Sequence, residues 1–273
     1  MAYKFEGFWD LPEARDPHNP TAPHIPYFLR RLFNAVIGTA FRIAFRFSCE
    51  GKEHVSQYFG TRGAVVVCNH ACALDPAFLW ITLMPEKMIR FMARENLFYK
   101  AKGFTGWMAS HVGAFPVKRD SADRSAIKRG AAMLKRQEIV GIFPEGTRRG
   151  RGTADMRIHA GAAFIARMGK APLVPSTIRN VEKIKPSGSK FIHFPKVTVV
   201  YGAPVTIDEF DFMPKDCRLE AASWFVMREC YALRDDVPNT QVDMAALFPQ
   251  DQDFTEALVQ FTAERNARLS QEG

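Results

Sequence analysis

A chain of 273 residues, 47% of them hydrophobic, is long enough to bury a sizeable core as one domain with appendages. Its formal net charge of +8 points to an anionic partner, whether nucleic acid, a lipid surface or a phosphorylated substrate. The aromatics, 23 Phe against 6 Tyr, sit mostly in apolar runs instead of alternating with Lys and Arg. No RNA-binding signature is present, so nucleic acid is not an expected partner.

The N-terminus lacks the basic, apolar and small-residue succession of a signal peptide. Residues 1–26 carry Pro12, Pro17, Pro20, Pro23 and Pro26 among polar and charged neighbours, which predicts an irregular leader. From Tyr27 the pattern changes. Phe28-Leu29, Leu32-Phe33, Val36-Ile37, Ala40-Phe41 and Ala44-Phe45 recur every four residues and draw one broad apolar face along a helix over residues 27–48. A core-facing helix accounts for that repeat equally well. The charge favours another reading, because every ionised residue from 28 to 48 is arginine (Arg30, Arg31, Arg42 and Arg46). A basic amphipathic helix of this kind suits the interface of an anionic phospholipid membrane. Gly38 marks a weak point in it. The longest run free of Asp, Glu, Lys and Arg, residues 103–117, is shorter than the ~18 apolar residues of a membrane span. No transmembrane helix is expected. Five cysteines, Cys49, Cys68, Cys72, Cys217 and Cys230, are an odd number without the spacing of a disulfide framework, which fits a reducing cytoplasm.

The stretch that organises the chain is residues 64–75, Ala-Val-Val-Val-Cys-Asn-His-Ala-Cys-Ala-Leu-Asp. Val65, Val66 and Val67 read as a buried strand, and Asp75-Pro76 reads as a helix start ahead of Phe78, Leu79, Trp80, Ile81 and Leu83. His70 then sits in the turn at a strand's carboxyl end, where an α/β sheet places its active site. On one continuous helix, residues five apart lie about 140° apart around the axis, so His70 and Asp75 can meet only if the chain turns between them. A carboxylate bonded to one ring nitrogen fixes the tautomer and makes the other nitrogen a better base. Cys68, His70 and Cys72 alternate as strand residues facing one way would, but no second ligand cluster with zinc spacing accompanies them. No metal is expected.

Further strands are predicted near 87–91, 138–143 and 196–201, with a helix over 121–136. This succession predicts an α/β fold with a mixed, largely parallel sheet flanked by helices, preceded by the amphipathic membrane-binding segment. Leu219, Ala222, Val226, Cys230 and Leu233 mark a later helix. Asp253-Phe-Thr-Glu256 resembles a capping box opening another, so residues 208–273 read as C-terminal packing helices.

Ile-Phe-Pro-Glu-Gly-Thr-Arg at 142–148 resembles the Phe-Pro-Glu-Gly-Thr-Arg motif of the glycerolipid acyltransferases, the PlsC-type 1-acylglycerol-3-phosphate acyltransferase family. Gly-Ala-Phe-Pro-Val-Lys-Arg at 113–119 resembles that family's second block, and Leu-Val-Pro-Ser-Thr-Ile at 173–178 its fourth, with the histidine stretch as the first. The blocks keep the family's order, and the resemblance spans residues 50 to 207, the expected catalytic domain. It implies acyl transfer from acyl-CoA or acyl carrier protein to 1-acyl-sn-glycerol 3-phosphate, giving phosphatidic acid at the cytoplasmic face of the cell membrane, with no resident cofactor. His70 would be the general base and Asp75 its orienting acid. Arg119 and Arg148, with Arg94 as a further candidate, would hold the acceptor phosphate. Glu145, Gly146 and Thr147 would contact the acceptor's glyceryl portion or position the arginine loop. Departures from the family pattern are Lys118 for an acid, Arg149 for Ser, and His159 or Ala160 for Lys. They keep open an acyltransferase of the same fold with another acceptor or donor, such as a lyso-ornithine lipid, glycerol 3-phosphate or transacylation. A catalytically silent membrane-binding protein is the reading from a different class.

Overall fold

The computed structural model describes residues 6–14, 19, 21–99, 104–118, 123–149, 156–186 and 188–272. Arg119 and the 150–152 end of the arginine loop lie outside them. Among the described residues the sheet has seven strands: β1 (Ser48–Glu50), β2 (Ala64–Cys68), β3 (Ile89–Arg94), β4 (Phe115–Val117), β5 (Ile139–Ile142), β6 (Leu173–Arg179) and β7 (Thr198–Tyr201). Their order is β1-β7-β6-β2-β5-β3-β4. Neighbours pair in parallel everywhere except β6 with β7, so β1 and β7 run against the other five. The expected mixed, largely parallel sheet flanked by helices is what the chain forms.

The main helices are α1 (Tyr27–Phe33), α2 (Thr39–Ala44), α3 (Glu53–Ser56), α4 (Asp75–Leu83), α5 (Phe104–His111), α6 (Arg124–Lys135), α7 (Gly161–Gly169), α8 (Arg218–Asp235), α9 (Met244–Leu247) and α10 (Val259–Glu272). Alternation along β2 sorts them into two layers. Val65 and Val67 face the core built with α6, α7 and α8, while Ala64, Val66 and Cys68 face the core built with α4 and the end of α2. All five residues of β2 are buried, as a strand covered on both faces must be. The chain leaves β2 through α4 toward β3, and leaves the adjacent β5 through α7 toward β6 on the other side of β2. Right-handed crossovers in opposite directions put α4 and α7 on opposite faces and open a crevice at the carboxyl ends of β2 and β5.

Two segments differ from expectation. The leader is irregular but firmly docked: Trp9, Glu13 and Ile25 are buried. Arg90, wholly buried on β3, donates to Glu138 Oε2 at 2.8 Å and to the carbonyls of Trp9, Leu11 and Gly113. Glu138 Oε1 in turn accepts the Glu13 N–H at 3.1 Å, and Glu13 Oε1 pairs with Arg30 of α1 at 3.2 Å. The second difference concerns α1 and α2, which are joined at the predicted weak point by a π-helical turn, Asn34–Gly38. The difference does not lie with the arginines, of which Arg31, Arg42 and Arg46 are exposed. Arg30 is buried against Glu13, Arg42 donates to Ile81 O at 3.2 Å, and Arg46 donates to Phe194 O at 3.0 Å. The apolar face is split instead. Phe33, Phe41 and Phe45 pack inward, while Phe28, Leu32, Val36 and Ile43 face out, Phe28 and Ile43 each more than 70% exposed.

Candidate active site

The turn between β2 and α4 brings the first two predicted residues together. His70 Nδ1 lies 2.8 Å from Asp75 Oδ2, which also accepts the N–H groups of Ala71 and Cys72 at 2.8 Å each. Asp75 is the first residue of α4 and is followed by Pro76, yet its side chain does not cap that helix. It reaches back instead and closes the four-residue turn around the imidazole. An acid at a helix N-terminus is also favoured by the helix dipole. Because a carboxylate only accepts, Nδ1 carries the proton and Nε2 keeps its lone pair. Among the described residues none hydrogen-bonds Nε2. The ring stacks on Phe143 with centroids 4.3 Å apart, which restricts its rotation.

The Phe-Pro-Glu-Gly-Thr-Arg loop leaves β5 beside this turn. Gly146 adopts φ +61°, a conformation a side chain would strain, and its N–H closes the loop onto Phe143 O at 3.0 Å. Glu145, 2% exposed, accepts the backbone N–H of His70 at 2.7 Å through Oε2 and the Tyr231 hydroxyl through Oε1. Arg149 completes the bracket. Its N–H donates to His70 O at 2.9 Å, and its Nε donates to the Tyr231 hydroxyl at 2.8 Å. Its Nη2 donates to Leu247 O at 3.2 Å, and the guanidinium rests against the Phe248 ring, 4.9 Å from the centroid. Thus both backbone polar groups of His70 are held by the arginine loop, and the loop is held by α8 and the turn after α9. Burial pushes the Glu145 carboxyl above its ordinary range, opposed by the donors from Tyr231 and His70 and by the charge of Arg149. The N–H groups of His70, Ala71, Cys72, Gly146 and Arg149 are therefore all engaged in shaping the site.

A cavity of about 1480 Å³ opens over this pair. Phe33, Ile37, Trp80, Ile81, Met108 and Val112 are among its apolar lining residues, and Arg94, Lys118, Arg148, Arg157, Arg167 and Lys215 line it together with the acids Asp123, Glu145, Asp216 and Glu220. Gly146, Thr147 and His159 also line it. Arg94 donates to Gly146 O at 2.8 Å and so braces the loop. Among the described residues, none accepts a hydrogen bond from the Arg148 side chain. Sequence reasoning missed Tyr231. The one signal for it was Arg149 standing where the family has Ser, since an arginine drawn inward needs acceptors.

The comparisons with known proteins converge on one family. The acyltransferase family model matches residues 46–179, and the chain is similar to 1-acyl-sn-glycerol-3-phosphate acyltransferases. It is 35% identical to that of Bacillus subtilis over 58% of this chain and 75% of the relative. It is 29% identical to that of Streptococcus pneumoniae over 55% of this chain and 52% of the relative, so it spans about half the length of this second protein. Its fold is similar to the crystal structure of the 1-acyl-sn-glycerophosphate (LPA) acyltransferase PlsC from Thermotoga maritima. The TM-score is 0.52 at 21% identity, covering 76% of this chain and 85% of that one. With the histidine–aspartate turn and the arginine loop meeting at the carboxyl ends of β2 and β5, the chain belongs to the PlsC-type glycerolipid acyltransferase family.

Proposed function

We propose that this O-acyltransferase moves the acyl group of a thioester, acyl-CoA or acyl carrier protein, to the free hydroxyl of 1-acyl-sn-glycerol 3-phosphate, yielding phosphatidic acid. The observation that carries the reading is His70, tautomer set by Asp75, opening into a cavity lined by apolar side chains and by six lysines and arginines against four acids. A lysolipid with one acyl chain and a phosphate presents the same two chemistries. His70 Nε2 takes the hydroxyl proton as that oxygen attacks the thioester carbonyl. The C–O bond forms, the C–S bond breaks, and the proton returns to the departing thiolate. Asp75 stabilises the imidazolium in between. The thioester supplies the activation, so the reaction as written balances without a resident cofactor. Arg148 suits the acceptor phosphate, with Arg119 as its partner in the same role. Glu145, its two oxygens taken up inside the protein, acts as a positioning residue for His70.

The reading places the protein on the cytoplasmic face of the cell membrane as a peripheral enzyme. Its support is the outward stripe of Phe28, Leu32, Val36 and Ile43, on elements that also line the cavity through Phe33 and Ile37. No helix among the described residues is long and apolar enough to cross a membrane. The test is transfer of labelled acyl groups to lysophosphatidic acid on anionic vesicles, from CoA and carrier-protein donors in parallel, with His70→Ala as control. A positioned base contributes about 10²–10⁴-fold, so the variant should lose that much turnover while melting like wild type. A folded His70→Ala protein that keeps near wild-type turnover would sink the mechanism. Thioester turnover without phosphatidic acid would reject the acceptor.

A further inference from the structure

Strand direction brings a second exposed apolar element to the rim of the active site. Because β1 and β7 run against the other strands, the chain enters both of them at the end of the sheet where β2 and β5 leave. The segment entering β1 is α2. The segment entering β7 is the loop 188–197, so this loop shares a rim with His70 and Glu145. Its side chains are ordered against burial: Phe191 is 76% exposed, and Ile192 and Phe194 are also exposed. The loop backbone is nevertheless well fastened. His193 N–H donates to Ile184 O at 2.8 Å, the Ser189 hydroxyl donates to Phe191 O at 2.9 Å, and Asn180 Nδ2 donates to Lys196 O at 3.1 Å. Arg46 ties it to the end of α2 through Phe194 O, and the Phe194 ring packs against Phe45 with centroids 5.3 Å apart. Exposed Ile43, on the last turn of α2, continues the outward stripe toward this loop.

The charge says what would cover such a surface. From 183 to 196 the chain carries Lys183, Lys185, Lys190 and Lys196 and no acid. Bulky apolar side chains ringed by lysines match the two layers of an anionic bilayer surface, with acyl chains beneath and phosphates above. We propose that Phe191, Ile192 and Phe194 enter the acyl boundary of an anionic membrane while the four lysines meet its headgroups. The loop is then a second contact beside α1–α2, and the two contacts together hold the cavity rim against the lipid. This rests on the peripheral-membrane reading above and adds to it a place and an orientation.

The test uses the full chain and vesicles of phosphatidylcholine with and without phosphatidylglycerol, with binding read by sedimentation. Wild type is compared with a loop variant (Phe191→Ser, Ile192→Ser, Phe194→Ser) and a stripe variant (Phe28→Ser, Val36→Ser). All are checked by melting and by sizing in solution. Amide exchange of residues 188–196 is followed with and without vesicles. The loop variant should melt like wild type and bind anionic vesicles about tenfold more weakly, and the wild-type loop should exchange more slowly when vesicles are added. Unchanged binding by the loop variant with unchanged loop exchange, while the stripe variant detaches, overturns the loop contact and leaves the membrane reading standing. Failure of wild type to bind any vesicle removes both. A loop variant that turns a wild-type dimer into a monomer without altering vesicle binding assigns the surface to a second copy and also overturns the proposal.

Discussion

Replacing Tyr231 by Phe removes one hydroxyl from a side chain that does not line the cavity, and it should nevertheless slow the chemistry. That hydroxyl donates to Glu145 Oε1 and accepts from Arg149 Nε, while Glu145 Oε2 holds the His70 N–H. A hydrogen bond to a buried charged group contributes about 1.5–3 kcal/mol, and deleting it leaves the carboxylate and the guanidinium short of a partner. Part of the loss is stability. Taking that part as about 1.5 kcal/mol, at roughly 2–4 °C per kcal/mol for a chain of this size the melting temperature should fall by about 3–6 °C. The rest is looser placement of His70; if it amounts to about 1.4 kcal/mol, kcat falls about tenfold. Direction in pH distinguishes this from a general loosening. Burial already raises the Glu145 carboxyl and the Tyr231 hydroxyl lowers it, so the variant's carboxyl must rise further. Protonated Glu145 is a poorer acceptor for the His70 N–H. The acid limb of kcat should therefore move to higher pH, with activity partly restored on the alkaline side. The KM for lysophosphatidic acid should hold. Steady-state kinetics across a pH series measures all three. A kcat within twofold of wild type with an unmoved acid limb would refute the positioning role of Glu145.

Arg148→Ala should raise the KM for lysophosphatidic acid about 10–100-fold, the worth of one charge-assisted contact, without changing the melting temperature, since no described residue accepts a hydrogen bond from its side chain. An unchanged KM would take the phosphate away from it. Arg90→Met strips four acceptors of their buried donor and should cost about 3–5 kcal/mol, with the first protease cuts falling near residues 6–14. Chemical denaturation with limited proteolysis checks this. Burial raises the Glu229 carboxyl above 4.5 despite the Asn239 amide that donates to it. Wild type therefore keeps this group's contribution below 4.5 and loses it as pH rises through the raised value. Glu229→Gln should gain stability relative to wild type as pH rises above 4.5, and a gain that shrinks instead would contradict the assignment.

The parts of the molecule that could be read from the chain are those specified by neighbours in sequence. The His70–Asp75 pair was legible because a valine run, a turn and Asp-Pro occur within twelve residues, and period-2 and period-3.6 patterns located most strands and helices within a few positions. Failures came where a polar group's partner lies far away. Nothing near Arg30, Arg42 and Arg46 in the sequence announced that Glu13 and the carbonyls of Ile81 and Phe194 accept from them, the last across 148 positions. Glu145 and Tyr231 stand 86 positions apart, and nothing in the apolar pattern of α8 distinguishes that tyrosine from a core residue. The leader's prolines gave no sign that it is docked, yet irregular backbone can still be a structural part when a buried guanidinium satisfies its carbonyls.

The hydrogen-bonded chain from Glu138 through the Glu13 backbone N–H and carboxylate to Arg30 also has a consequence for the order in which the protein is made. Residues 13 and 138 are separated by 125 positions, so a nascent chain carries the leader and α1 out of the ribosome long before β5 exists to receive them. Throughout that interval Glu13 and Arg30 have no interior to enter, and the stripe of Phe28, Leu32 and Val36 hangs from a tether. This segment is thus set in place only after Glu138 has been made, and its orientation on any surface is decided no earlier than that.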